Sequence, residues 1–298
     1  MTALVEACSA TKRFGTFTAV DAVDLSVESG EVVGLLGANG AGKTTLIRLL
    51  LGLLLPSSGS AALFGSTPSL ATRARVGYVP QSLGLYDDLS VEENWRFAAA
   101  AFHQVDLPLP EAESVWRETL VGALPLGIQR HVAFAVALAH QPELLVLDEP
   151  TSGVGPLSSA RLWEQIRAQG ERGTGVLVTT HNLEEAEQCD RLVIMIGGSV
   201  AAQGTATQII GGRTVTEVRS AEWQRAFTLL EDAGFAVQLH GAALRVNRTA
   251  SEVAVLLSTE DIATEVVVVA ANLEEAFVDI VTAGAAPVRG AQAVPDAR

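Results

Sequence analysis

Lysine is nearly absent from this 298-residue chain: the 20 basic residues are arginines except for Lys12 and Lys43. Against 34 acidic residues they leave a formal net charge of -14. That balance argues against gripping a nucleic-acid backbone as the main activity, so no nucleic-acid partner is expected. Cysteine is equally scarce. Cys8 and Cys189 lie far apart and form no C-x-x-C pair, which excludes a disulfide framework or zinc knuckle and leaves two ordinary buried thiols. His103, His131, His140 and His240 show no metal-ligand spacing. No apolar run approaches the ~18 residues of a membrane span. The opening Met-Thr-Ala-Leu-Val-Glu lacks the basic-then-apolar pattern of a secretory signal, so a cytoplasmic chain is expected. No internal repeat is visible. Hydrophobic residues, in contrast, make up 48% of the chain and charged ones 18%, far from the composition of a disordered polymer. The length suits one large domain followed by a smaller one.

The apolar pattern reads as strands alternating with helices. Leu25–Val27 and Val32–Leu36 are β-prone, and the second leads through a glycine loop into the apolar helical stretch Leu46–Leu55. Gly77–Gln81 reads as a short strand, and Ser90-x-x-Glu93 has the spacing of a capping box that opens a helix toward Phe102. Val132–Ala139 is helical until Pro142 breaks the pattern. Leu144–Asp148 and Val176–Thr180 read as fully buried parallel strands, with helices at Ser158–Gln169 and Leu183–Cys189 and a hairpin over Leu192–Ala202. After Gly211-Gly212 the character changes to a small α+β unit. Its expected parts are a strand at Thr214–Val218, a helix at Ala221–Leu230, a hairpin over Phe235–Asn247, a helix at Ala250–Leu257, a strand at Glu265–Val269 and an amphipathic helix at Leu273–Val281. Glu184-Glu185 and Glu274-Glu275 read as solvated helix faces, and Gly284–Arg298 as a flexible tail.

Two motifs carry chemistry. Gly37-Ala38-Asn39-Gly40-Ala41-Gly42-Lys43-Thr44-Thr45 has the G-x4-G-K-T spacing of a phosphate-binding loop, set between a strand and a helix. Its glycines let successive amides point at phosphate oxygens, the helix N-terminus adds its dipole, Lys43 reaches the terminal phosphates, and Thr44 supplies a hydroxyl for Mg2+. Leu144-Leu-Val-Leu-Asp148-Glu149 then delivers two carboxylates to the carboxyl end of a buried strand, where ligands sit in open α/β sheets. Asp148 is placed to hold the metal's hydration shell and Glu149 to act as general base toward an attacking water.

Over roughly residues 5–205 these motifs resemble the ATP-binding-cassette (ABC) transporter ATPases. The resemblance implies a P-loop NTPase (RecA-like) α/β core over 1–212 with an antiparallel β subdomain and a helical subdomain at about 88–140, followed by a small α+β domain over 213–283. It implies roles for single residues too. Phe14, in Lys12-Arg-Phe-Gly15, is similar to the aromatic that stacks on adenine. Gln81 resembles the glutamine that links the metal to the membrane partner, and His181, after Val-Thr-Thr, the switch histidine on the γ-phosphate. ATP and Mg2+ are the implied ligands. Membrane permease subunits, docked near Gln81–Val91, and a second ATPase subunit, identical or not, are the implied partners, with the chain held peripherally on the inner face of the membrane.

Two segments depart from the family pattern. Where Leu-Ser-Gly-Gly-Gln is usual, this chain has Leu124-Pro125-Leu126-Gly127-Ile128, a form similar to that of ABC-2 type exporters of drugs, lipids or polysaccharides. Pro125 offers neither a hydroxyl nor an amide to a phosphate, although it suits a first helical turn and Gly127 keeps close approach open. Ser152-Gly-Val-Gly155 ends in glycine where the family usually has aspartate. Both departures fall in segments that act across a dimer, and every residue that acts within its own chain is retained. The main expectation is an ATP-hydrolysing motor subunit. The alternatives are a regulatory subunit of weak hydrolysis in a heterodimeric pair and a non-transport ABC ATPase.

Overall fold

The computed structural model describes residues 3–104 and 106–284. The first compact unit runs to Thr205. In chain order it contains β1 (Val5–Phe14), β2 (Phe17–Val27), β3 (Val32–Leu36), α1 (Lys43–Leu50), β4 (Ser58–Leu63), α2 (Leu70–Arg73), β5 (Val76–Val79) and α3 (Val91–Ala101). Then follow α4 (Glu111–Ser114), α5 (Leu126–Leu138), β6 (Leu144–Asp148), α6 (Pro156–Glu171), β7 (Gly175–Thr180), α7 (Leu183–Ala186), β8 (Arg191–Ile196) and β9 (Ser199–Gly204).

The central sheet has the order β5-β6-β7-β3-β8-β9 and is parallel except for the β8–β9 hairpin. Every residue of β3, β6 and β7 is buried, as expected of strands covered on both faces. A second, antiparallel sheet β2-β1-β4 shares its core with β3 and α1: Val5, Val23 and Leu25 meet Leu35, Leu46, Ile47 and Leu50. Truncating one such leucine to alanine costs about 2–5 kcal/mol, so this core fixes the loop that precedes α1.

The structure revises several sequence expectations. Helix α1 stops at Leu50 instead of Leu55 because Gly52 turns the chain at φ +64°, where a Cβ would also sit 2.5 Å from Pro68 Cβ. Helix α7 ends at Ala186 instead of Cys189. Strands β1 and β4, and most of β2, have no clean alternation in sequence. Ser9 and Ala22 take left-handed φ values of 45° and 47°, and the β1–β2 register shifts around them. Cys8 is exposed instead of buried, because it falls on the outward side of β1 between Ala7 and Ser9. Cys189 is buried, and burial pushes its thiol up to about 12.

The helical insert has a core of its own, in which Val91, Val121, Leu124 and Val132 pack with Trp116 and Ile128. The expected capping box forms at the head of α3: Ser90 Oγ accepts from Glu93 N at 3.2 Å, and Ser90 N donates to Glu93 Oε2 at 2.8 Å.

The second unit begins at Ala206, ahead of the expected boundary after Gly212. It comprises α8 (Ala206–Ile210), β10 (Thr214–Arg219), α9 (Trp223–Asp232), β11 (Val237–His240), β12 (Ala243–Val246), α10 (Ala250–Ser258), β13 (Glu265–Ala270) and α11 (Leu273–Gly284). Helix α8 packs on α11, which draws it into this unit. The sheet is antiparallel, ordered β11-β12-β10-β13. Val218, Leu244 and Val246 turn toward Ala226, Leu230, Val253 and Leu257 of α9 and α10. The alternate positions carry charge: Arg245, cross-strand neighbour of Glu217, pairs with it at 3.4 Å and reaches Glu275 of α11 at 3.2 Å. Glu275 is therefore buried and paired, not solvated. The tail expected over 284–298 lies, beyond Gly284, outside the described residues.

Candidate functional site

The sheet order brings three strand ends together. Strand β7 lies between β3 and β6, so the loop after β3, the carboxylates ending β6 and the threonines ending β7 share one edge. Asp148 is in register with Thr179, and Leu36 with Thr180.

The loop Gly37–Gly42 follows β3 and enters α1 with Gly42 as N-cap, at φ +101°. A Cβ there would stand 2.4 Å from the Ala19 carbonyl oxygen, and one on Gly37 would stand 2.5 Å from that of Met195. Both positions therefore require glycine. Lys43 is 5% exposed, and its ammonium donates to the carbonyls of Gly37 at 2.7 Å and Ala38 at 3.3 Å. It lies 3.6 Å from Glu149 Oε1. The loop residues Asn39 to Thr45, with Phe17, Ala19, Gln81 and Glu149, line a cavity of about 330 Å3.

The carboxylates are held by hydroxyls. Asp148 Oδ2 accepts from Thr44 Oγ1 at 2.9 Å, and its Oδ1 accepts from Thr179 Oγ1 at 2.7 Å. The Thr179 oxygen in turn accepts from the Glu149 backbone N–H at 2.8 Å. Glu149 adopts φ +50°, a left-handed conformation that costs a non-glycine residue of order 1 kcal/mol or more. The Thr179 contact offsets that strain and turns the Glu149 side chain toward the loop. Its Oε2 accepts from Gln81 Nε2 at 3.3 Å and lies 3.8 Å from His181 Nδ1.

Beyond Glu149 an adjoining cavity of about 360 Å3 is lined by Ser152, Gly153, Ser159, Thr180, His181 and Glu185, among others. The buried Glu185, expected on a solvated helix face, accepts from Thr180 Oγ1 at 2.6 Å and from Ser159 Oγ at 3.4 Å. Asn182 N donates to Thr180 Oγ1 at 3.0 Å. The backbone around His181 is thus tied through one carboxylate to α6.

The remaining candidates are arranged differently. Phe14 pairs with Phe17 across the β1–β2 turn, but Phe17 lines the loop cavity, while the half-exposed Phe14 ring lies 5.3 Å from the Lys12 ammonium. None of Leu124–Gly127 lines the loop cavity of its own chain. Leu124 is spent in the core of the helical insert. Pro125 is the N-cap of α5, not part of its first turn, and Leu126 is exposed. Gly127 approaches α6 so closely that a Cβ would lie 2.8 Å from Ser158 Oγ. Arg130, two residues beyond the first departing segment in α5, donates to the Ser152 carbonyl at 3.0 Å and so ties α5 to the second departing segment.

Sequence reasoning missed Phe17, Thr179 and Glu185. The signal for Thr179 was present, a polar pair ending an otherwise apolar strand. Glu185 carried none, since its burial depends on α6 lying alongside.

Oxygen donors of this kind suit a hard cation: a hydroxyl and a carboxylate oxygen at hydrogen-bond distance from each other, with a glutamine amide nearby. The glycine-lined nest at the head of α1 suits a phosphate chain.

Comparison with known proteins agrees with this geometry. The profile of the family described as ABC transporter matches residues 20–152. The Probable multidrug ABC transporter ATP-binding protein YbhF of Escherichia coli (strain K12) is 38% identical over 239 residues, which cover 76% of this chain and 41% of that protein. The chain thus spans about two fifths of the length of YbhF. The Nod factor export ATP-binding protein I of Burkholderia lata is 41% identical over 212 residues, 67% of this chain and 70% of that protein. Among solved structures, one described as the ATP binding subunit of an ABC transporter is 28% identical with a TM-score of 0.61, covering 86% of this chain and 99% of its own. The chain therefore belongs to the family of ATP-binding proteins of ABC transporters.

Proposed function

We propose that this chain is the ATP-hydrolysing motor of an ABC exporter whose membrane-spanning subunits are separate chains. The observation that carries the reading is the hydrogen-bonded path from Thr44 through Asp148 and Thr179 to the Glu149 amide. It ties the phosphate-binding loop to the general base through two buried residues, Asp148 and Thr179. In this reading the amides of Gly40–Thr45 and the Lys43 ammonium hold the phosphates of ATP, and Lys43 exchanges its carbonyl partners for phosphate oxygens. Thr44 and Asp148, with Gln81, would hold Mg2+, which when bound offsets charge on the terminal phosphates.

Glu149 accepts a proton from a water as the water oxygen bonds to the γ-phosphorus and the bond to the β-bridging oxygen breaks, giving ADP and phosphate. General-base assistance of this kind is worth roughly 10²–10⁴ in rate. His181, beside the Glu149 carboxylate, orients the terminal phosphate.

Leu124–Gly127, absent from the cavity of their own chain, serve the site of a second ATPase subunit. Exposed Tyr86 meets exposed Phe97 edge-on at 5.2 Å, an apolar surface within the Gln81–Val91 stretch and α3 that suits a permease segment. No described helix is long and apolar enough to cross a membrane, so attachment at the inner face of the membrane rests on that contact. The relatives' names, multidrug transporter and Nod factor export, support export, and the resemblance of Leu124–Ile128 to ABC-2 type exporters suggests drug, lipid or polysaccharide substrates.

The test is Mg·ATP turnover by the chain in proteoliposomes with its membrane subunit. Turnover that Glu149→Gln abolishes while ATP binding persists supports the reading. Turnover unaffected by Glu149→Gln, or a chain that does not bind ATP, contradicts it.

A further inference from the structure

A cavity of about 470 Å3 lies between the helical insert and α6, away from the phosphate-binding loop, and is lined by residues of α3, α4, α5 and α6. Its volume falls in the range of about 300–1,000 Å3 typical of small-molecule sites. Trp95, Leu107, Pro110, Phe134 and Leu138 supply the apolar part of its wall, and Gln141, Gln165 and Gln169 a polar part. The Trp95 indole N–H is already spent on the Leu107 carbonyl at 2.9 Å, so the ring offers a face and not a donor.

Into this wall Glu113 brings a carboxylate. Glu113 is 8% exposed, and among the described residues no other residue gives its carboxylate a hydrogen bond or an ion pair. Burial pushes its carboxyl above the ordinary range, against a small opposing effect of its own amide. Two further side chains, His131 and Arg172, share the lining. His131 Nδ1 is engaged with Gln165 Oε1 at 3.2 Å, and Arg172 is exposed, its charge screened by water.

The Glu113 oxygens keep only a narrow contact with solvent, and a cation that enters with its own apolar body pairs the charge while displacing that water. We propose that this cavity binds a small lipophilic cation, an aryl- or alkyl-substituted ammonium, with its charge against Glu113 and its apolar part against Trp95 and Phe134. An aromatic face adds cation–π attraction. A neutral ligand leaves the carboxylate unpaired, and an anion meets repulsion.

The position gives such a ligand leverage. Helix α5 begins one residue after Pro125, and α6 begins one residue after Gly155. An occupant wedged between their bodies restrains the two helices that carry the departing segments.

The experiment is calorimetric titration of the full-length chain, without nucleotide, with benzyltrimethylammonium and separately with phenylacetate. The site predicts saturable binding of the cation, at least tenfold weaker binding of the anion, and at least a tenfold loss of cation affinity in Glu113→Gln. Trp95 fluorescence should respond in the same titration and fall silent in Trp95→Phe. Absence of saturable binding, equal affinity for both probes, or unchanged affinity in Glu113→Gln overturns the proposal. The comparison of the two probes on the unaltered chain decides the question even if Glu113→Gln does not fold. Because no nucleotide is present, failure here leaves the ATPase reading untouched.

Discussion

Two halves of the cassette face opposite constraints. Around the phosphate-binding loop Lys43, Asp148, Glu149 and Thr179 are buried; hydrogen bonds join Asp148 through Thr179 to Glu149, and the Lys43 ammonium lies 3.6 Å from the Glu149 carboxylate, so each helps to fix the next. The segments expected to act on another chain, Pro125–Gly127 and Ser152–Gly155, sit at exposed helix starts. Their caps, Pro125 and Gly155, make no side-chain hydrogen bond. A substitution in the first group breaks a network, whereas one in the second removes a contact that does not exist until two chains meet. The departures from the family pattern are confined to the second group, where the fold of the single chain tolerates them.

The largest effects are expected on the buried side. Glu149→Gln should lower ATP turnover by roughly 10²–10⁴ with ATP affinity retained, read by steady-state hydrolysis and equilibrium binding. Thr179→Val keeps shape and loses the hydroxyl that donates to Asp148 and accepts from Glu149. Turnover should fall about tenfold, and stability by about 1–3 kcal/mol in a denaturant titration. Glu185→Gln keeps the carbonyl but removes the charge that anchors Thr180 beside His181. A several-fold fall in kcat with an unchanged KM for ATP is expected, and equal changes in both would contradict a positioning role.

The exposed side should respond weakly and in the opposite sense. A Cβ on Gly155 meets nothing within 4 Å and its φ is -72°, so Gly155→Asp fits without strain and caps α6. A gain of a few tenths of a kcal/mol in thermal stability is expected. Thiol labelling gives the smallest effect. A maleimide at neutral pH should modify exposed Cys8 in the native chain, while Cys189, its thiol held up at about 12 by burial, should react only after unfolding.

The sequence revealed most where a local pattern encodes the structure. The glycine loop, the apolar run into Asp148-Glu149 and the capping box at Ser90 each need only neighbours in the chain. It revealed least where distant segments decide. Thr179 acquires its role because β7 lies between β3 and β6, a fact of sheet order. Glu185 and Glu275 look like solvated charges until α6 and Arg245 are placed beside them. Cys8 faces outward because the register of β1 shifts between Ala7 and Ala10, an irregularity that the sequence pattern does not encode. Phe14 alone is expected from the sequence to stack on adenine, and the turn between β1 and β2 places Phe17 in the cavity lining instead.

The most direct test of the contrast between the two halves is the turnover of Mg·ATP by the unaltered chain beside the double variant Pro125→Ser, Gly155→Asp, each measured at saturating ATP and high protein concentration. A weakened trans surface over an intact cis site predicts a several-fold faster double variant, unchanged ATP affinity in the single chain, and silence from both when Glu149→Gln is added. A double variant no faster than the parent would contradict the account and place the limit on turnover elsewhere.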